Sequence, residues 1–329
     1  MKEYLDYDIN YPDLALRILE FFSLDGAEKE KELWEFCSQY EVPKGEQKLQ
    51  PRIISRICDR FCEMGKMVCV RRQGAMGLRN AYYAKPLDQH LLAQHRDVFQ
   101  HQFNSRIYGF EYIYRHYRSR TIPLIVNTDY GASMGSCFRI YDGIATARHC
   151  LIDGGPVAIR GYREEKLKMC PVYVSRNPEI DLAFILTKES FIYNQGEPRV
   201  LDNVLVMGYP KVPFFLEFCT GEKANISAMA NLRFTPTMGS IAAEGEVYYP
   251  KNLPKILLIT AKIRGGNSGG PVVNEEGNVV GIATGAPKGE GLSDDQVGYG
   301  MAYPIQALEE MIKENNTIPV EFMDFPDEE

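Results

Sequence analysis

The stretch Arg264-Gly265-Gly266-Asn267-Ser268-Gly269-Gly270-Pro271 constrains this chain more than any other. Apolar Ile256-Leu257-Leu258-Ile259 precedes it and Val272-Val273 follows, so a serine sits among glycines on a tight loop between two predicted strands. Gly266 and Gly269 carry no Cβ, so the backbone there can turn sharply and let a carbonyl come close. The amides of Gly266 and Ser268 can then point at one spot and stabilise an oxyanion. A lone G-x-S-G is usually a hairpin turn. This longer run is specific enough to justify a search for partners.

A serine hydroxyl is a poor nucleophile until a base takes its proton and a third group orients that base. The chain has five histidines, His90, His95, His101, His116 and His149. Only His149 has a fitting context, at the end of the apolar run Gly143-Ile144-Ala145-Thr146-Ala147-Arg148-His149. The orienting carboxylate should be held by apolar sequence, and Asp181 in Ile180-Asp181-Leu182-Ala183-Phe184-Ile185-Leu186 meets that demand. Alone, each residue reads as a core histidine or a turn aspartate. In the order His, Asp, Ser they read together as an acyl-transfer site.

Thr146-Ala147-Arg148-His149-Cys150, the Asp181 segment and the Ser268 loop resemble the histidine, aspartate and serine motifs of the trypsin-like (chymotrypsin-fold) serine proteases. The nearest resemblance is to the HtrA-type protease domain, through Met207-Gly208-Tyr209-Pro210, Gly277-Asn278-Val279-Val280-Gly281-Ile282 and Tyr299-Gly300-Met301-Ala302-Tyr303-Pro304-Ile305. It covers roughly residues 119–313, without the PDZ domain usual in that family. The resemblance implies two six-stranded antiparallel β-barrels with the site between them. It makes His149 the general base, Asp181 its orienter and Ser268 the nucleophile, with Gly266, Asn267 and Ser268 forming the oxyanion hole. Lys262 would stand at the base of the specificity pocket, with Ala283, Thr284 and Gly285 as its wall. A lysine there argues against cleavage after Lys or Arg and leaves small apolar and acidic P1 residues as candidates. Trypsins activate through an aspartate where this chain has the neutral Asn267, so zymogen cleavage is not expected. The Lys262–Asn267 loop could instead be ordered by contacts from the N-terminal module or a partner.

A chain of 329 residues suits two or more domains. Its net charge of −7 supplies no global basic field for nucleic acid. No signal peptide or apolar span is evident, which predicts a cytoplasmic protein. The eight cysteines form no disulfide framework, and Cys150 faces Met134 where trypsins place its partner. Cys58 and Cys62 find no further ligands, so no metal or cofactor is expected.

Residues 1–85 predict three helices and a β-hairpin in winged-helix order, with Ile53, Ile54, Ile57, Phe61 and Met64 at helical spacing and Gly65 as the stop. Residues 44–85 carry ten basic residues against three acidic ones. Arg52, Arg56 and Arg60 recur every four residues, with Arg71 and Arg72 on the hairpin. Phosphate contact and protein docking both remain open, and attachment to a protease-like segment favours docking. Residues 86–118 predict a helical connector and 314–329 an acidic tail that frays. The expected architecture is therefore multidomain: a winged-helix-like α+β domain, a helical connector and an all-β double barrel. The leading function is an intracellular serine endopeptidase, gated or localised by its N-terminal domain and acting on protein substrates. Such a fusion also suits bacterial defence. The alternative is a DNA-binding regulator that cleaves itself or a repressor on a signal.

Overall fold

A computed structural model describes residues 7–23, 30–40, 49–128, 131–191, 194–210, 233–245, 254–285 and 298–326. Pro43-Lys44-Gly45, which the sequence marks as a turn, Cys219 and the terminal Asp327, Glu328 and Glu329 lie outside them. The chain divides into two compact units, Met1–Tyr112 and Ile113–Glu329.

The first unit opens with α1 (Tyr7–Asn10) and α2 (Leu14–Phe22), then β1 (Lys31–Glu32), α3 (Leu33–Gln39) and α4 (Pro51–Glu63). A hairpin of β2 (Met67–Arg71) and β3 (Ala81–Ala84) follows. β1 pairs with β3, giving a three-stranded sheet in the order β1-β3-β2. Proline at the start of α4 is pre-set for a helix, and Gly65, at φ +66°, ends it. Ile53, Ile54, Ile57, Cys58 and Phe61 of α4 pack against Leu14, Leu16, Ile18, Leu19 and Phe22 in one core. α5 (Gln89–Gln94) and α6 (Arg96–Tyr108) contribute Leu92, Phe103 and Ile107 to the same core. The segment expected to connect two domains thus belongs mostly to the first. The boundary falls within α7 (Phe110–Arg118), because α6 packs on α2 and α4 and α5 packs on α6.

The second unit holds two β-structures. The first contains β4 (Thr121–Thr128), β5 (Gly131–Ile140), β6 (Gly143–Thr146), β7 (Val157–Ile159), β8 (Val172–Val174) and β9 (Ala183–Ile185), with the short helices α8 (His149–Ile152) and α9 (Glu164–Lys168). The second contains β10 (Asn203–Gly208), β11 (Thr235–Gly245), β12 (Ile256–Ile259), β13 (Pro271–Asn274), β14 (Val279–Gly285) and β15 (Gly300–Pro304), a closed barrel in the order β10-β11-β12-β15-β14-β13. Helix α10 (Ile305–Lys313) and strand β16 (Thr317–Ile318) end the chain. β16 joins the first structure as an edge, giving the seven-stranded order β16-β8-β9-β6-β5-β4-β7.

The described part of the tail, residues 314–326, is not frayed. After β16 it crosses to the opposite edge of that sheet, where Val157 N donates to Glu321 O (2.9 Å) and Met323 N donates to Val157 O (2.9 Å). Phe322 is 4% exposed and sits in the first core with Leu124, Ile144 and Ile159. Ile318 and Val320 pack against that core from the same segment. An alternation of Ile318, Val320 and Phe322 is a strand pattern, and it overrides the intervening Pro319 and Glu321. Among the described residues no helix is long and apolar enough to cross a membrane.

Candidate active site

β6 pairs with β9 so that Thr146 stands opposite Ala183. His149 follows Thr146 by one turn and Asp181 precedes Ala183 by two residues, so the ladder itself sets the two side chains together. The Asp181 carboxylate accepts from the His149 amide (2.8 Å) and from His149 Nδ1 (2.7 Å). With both oxygens accepting, Nδ1 carries a proton and Nε2 is the basic nitrogen. Burial disfavours the imidazolium, but the Asp181 hydrogen bond, the neighbouring Cys150 thiol and the Asp181 charge outweigh it and raise the His149 pKa above its ordinary value. The aspartate turn is braced from the other barrel, where Tyr303 Oη donates to Glu179 O (3.1 Å).

Ser268 is 8% exposed, and its hydroxyl donates to Thr284 O (2.9 Å). A hydroxyl has one proton, which here is directed at Thr284 O, and among the described residues no hydrogen bond joins Ser268 to His149. The backbone around the serine lies against the strand end that carries His149. Ser136 N donates to Ser268 O at 2.8 Å, and the Cys150 thiol lies 3.8 Å from that oxygen. Gly269, at φ +84°, makes this approach possible: a Cβ there would stand 2.0 Å from Ser136 O, 2.3 Å from Thr146 Oγ1 and 2.9 Å from Ala147 N.

The loop before the serine is a turn closed by Asn267 N donating to Arg264 O (2.9 Å), with Gly266 at φ +100°. Gly269 N donates to Ala283 O (2.6 Å) and Gly270 N to Asn267 O (2.9 Å). The amides of Gly266 and Ser268 donate to no acceptor among the described residues. Asn267 is the exception to the sequence expectation, because its amide closes the turn. Its side chain is fully buried, with Oδ1 and Nδ2 both unpartnered among the described residues.

Lys262 does not form a buried pocket floor, since its side chain is exposed while Thr237 Oγ1 donates to its carbonyl (3.0 Å). The neighbouring Ile263 is 7% exposed, and a Cβ on Gly300 would meet its Cδ1 and Cγ1 at 2.5 Å. Ala283 is buried, and Thr284 and Gly285 are half-buried. Ser136 and Tyr209, which hold the serine loop, carried no signal of that role in the sequence.

In the first unit one arginine of the stripe and both arginines of the hairpin are paired with carboxylates. Arg60 pairs with Glu63 (2.9 Å), Arg72 with both oxygens of Asp59 (2.8 and 3.2 Å) and Arg71 with Glu32. Arg52, Arg56 and Arg72 line a concavity of about 410 Å³ with Met76 at its lip, 63% exposed. The cysteines at 37, 58, 62, 69, 137, 150 and 170 are free thiols.

A chloroplastic protein of Arabidopsis thaliana, Protease Do-like 2, is 25% identical over 175 residues, 51% of this chain and 26% of its own length. The chain therefore spans about a quarter of that curated relative. Among solved structures, the HtrA-type protease AlgW with tripeptide is 26% identical at a TM-score of 0.42, covering 61% of this chain and 62% of the other. The Rv3671c protease of M. tuberculosis in its active form is 18% identical at a TM-score of 0.44, covering 63% and 85%. Residues 135–282, which include His149, Asp181 and Ser268, match the trypsin-like peptidase domain family. The second unit of this chain carries a trypsin-like peptidase domain.

Proposed function

We propose that the chain is a serine endopeptidase in which Ser268, His149 and Asp181 act as nucleophile, base and orienter. The observation that carries this reading is the imidazole held through Nδ1 by Asp181, on the strand end against which the Ser268 loop lies. Rotation of the Ser268 hydroxyl off Thr284 O would offer its proton to Nε2 as Oγ attacks a scissile carbonyl. The carbonyl oxygen then gains negative charge facing the amides of Gly266 and Ser268. Protonated His149 returns the proton to the leaving amine, and water repeats the sequence on the acyl-enzyme. Small residues at 283 and 285, apolar Ile263 and a solvent-exposed Lys262 suit a small apolar P1 side chain and give a basic one no counter-charge. Ser268→Ala is expected to lower kcat by about 10⁶ and to abolish labelling by a fluorophosphonate. Undiminished cleavage of a peptide library by that variant would end the proposal.

The first unit reads as a winged-helix-like docking module. The order α2-β1-α3-α4-β2-β3 with β1 beside β3 supports the first half of that reading. Pairing of Arg60, Arg71 and Arg72 with carboxylates favours an acidic protein segment over duplex DNA, because those guanidinium groups already have anionic partners. The Arg52–Arg56–Met76 concavity suits a carboxylate beside an apolar side chain.

A further inference from the structure

The amides of Gly266 and Ser268, the proposed oxyanion donors, belong to a loop with consecutive glycines at 265 and 266, and such a loop has little intrinsic reason to hold one conformation. Its anchor lies outside it, on β5. Ser136 is fully buried. Its amide donates to Ser268 O (2.8 Å) and its hydroxyl donates to Gly266 O (2.6 Å). The hydroxyl also accepts from Tyr209 N (2.8 Å), which fixes the direction of its own proton toward Gly266. Ser136 O in turn accepts from Thr146 Oγ1 (2.8 Å), tying the anchor to the strand that leads to His149.

Gly266 and Ser268, whose amides have no acceptor among the described residues, each have their carbonyl held by a donor of Ser136. The Gly266 carbonyl and the Asn267 amide share one peptide plane. That plane is gripped at one end by Ser136 Oγ and at the other by Arg264 O. Holding that plane fixes the chain on the C-terminal side of Gly266, and the Gly266 N–H, in the preceding peptide plane, is joined to it only through the left-handed φ of +100° and ψ of one residue. Gly208 is matched to this arrangement: a Cβ there would lie 2.7 Å from Ser136 Oγ and 3.0 Å from Asn267 Oδ1.

We infer that Ser136 is a positioning residue of the oxyanion hole, acting through its hydroxyl on Gly266 and its amide on Ser268. This rests on Ser268 being the nucleophile. Ser136 makes no hydrogen bond to the carboxylate or imidazole of the Asp181–His149 pair among the described residues, so its loss should weaken oxyanion stabilisation while leaving the titration of His149 in place.

The test uses the full chain and a fluorophosphonate, whose phosphoryl oxygen takes up the developing charge as Ser268 Oγ bonds to phosphorus, fluoride leaves and His149 takes the hydroxyl proton. Losing an oxyanion donor outright costs about 10²–10³. Ser136→Ala leaves the donors present but loosely aimed, so kinact should fall about 10- to 100-fold while KI changes less than about threefold. The acid limb of kinact against pH should stay where it is in the wild type. If Ser136→Ala does not fold, Gly208→Ala displaces the same hydroxyl and is expected to show the same split. Equal kinact in variant and wild type overturns the inference and leaves Ser268 as nucleophile. A loss accompanied by a shifted acid limb also overturns it, since the whole site would then have loosened. Failure of the wild type to label removes the nucleophile reading and the inference with it.

Discussion

Replacing Asp181 by asparagine preserves shape and removes a charge, and the two hydrogen bonds it makes decide the outcome. Asp181 accepts from His149 N at 2.8 Å and from His149 Nδ1 at 2.7 Å. An asparagine has one oxygen for these two donors. If the oxygen stays on the amide, the NH₂ faces Nδ1 and forces the ring proton onto Nε2, where the base is needed. If the group flips, the working tautomer survives but the NH₂ opposes the His149 amide and leaves it unsatisfied, at about 1–3 kcal/mol. Loss of the charge-assisted bond to the imidazolium adds about 1.5–3 kcal/mol in the transition state. Together these amount to about 2.5–6 kcal/mol, or a fall in kcat of about 10²–10⁴. The pH profile should change as well. His149 must be neutral to act, and its pKa is raised, so the acid limb of kcat/KM in the wild type should lie above the ordinary imidazole value of about 6.5. Without the carboxylate, burial remains as the opposing influence and the limb should move to lower pH. Steady-state kinetics on one peptide across pH, with circular dichroism to confirm folding, checks both. A folded Asp181→Asn enzyme losing less than tenfold, with an unmoved limb, would refute the reasoning.

Phe322→Ala should lower stability by about 3 kcal/mol or more, since a buried phenylalanine is truncated, and should reduce Tm by about 6–12 °C for a unit of this size. Calorimetry reads this directly, and a shift under about 2 °C would show that the tail contributes little. For the first unit, binding of the full chain to random duplex DNA should be weak, with log Kobs against log salt no steeper than about −2. A slope near −5 would instead favour nucleic acid as its ligand.

The chemistry of the site was legible because it depends on residue types in order: a serine among glycines, a histidine ending an apolar run and an aspartate opening another. The helix α4 was legible for a similar reason, since Ile53, Ile57 and Phe61 follow the period of the helix they form. What failed to show was set by tertiary pairing. The two-residue strand β16 is too short for a periodic signal, and the acids around Phe322 masked its alternation with Ile318 and Val320. The domain boundary moved because helices α5 and α6 look the same in sequence whether they connect domains or complete one. The arginines at 60, 71 and 72 counted as a basic surface until the fold gave each a carboxylate. Asn267 illustrates the finest level, since no pattern says which amides of a glycine loop face outward and which close its turn.

The late return of residues 317–323 to the sheet that bears His149 and Asp181 has a consequence for synthesis. A ribosome releases that segment only after the entire second barrel, so the edges of the earlier sheet stay unjoined through most of translation. Residues 317–323 thus join the sheet that sets His149 beside Asp181 only after the barrel carrying Ser268 has been made.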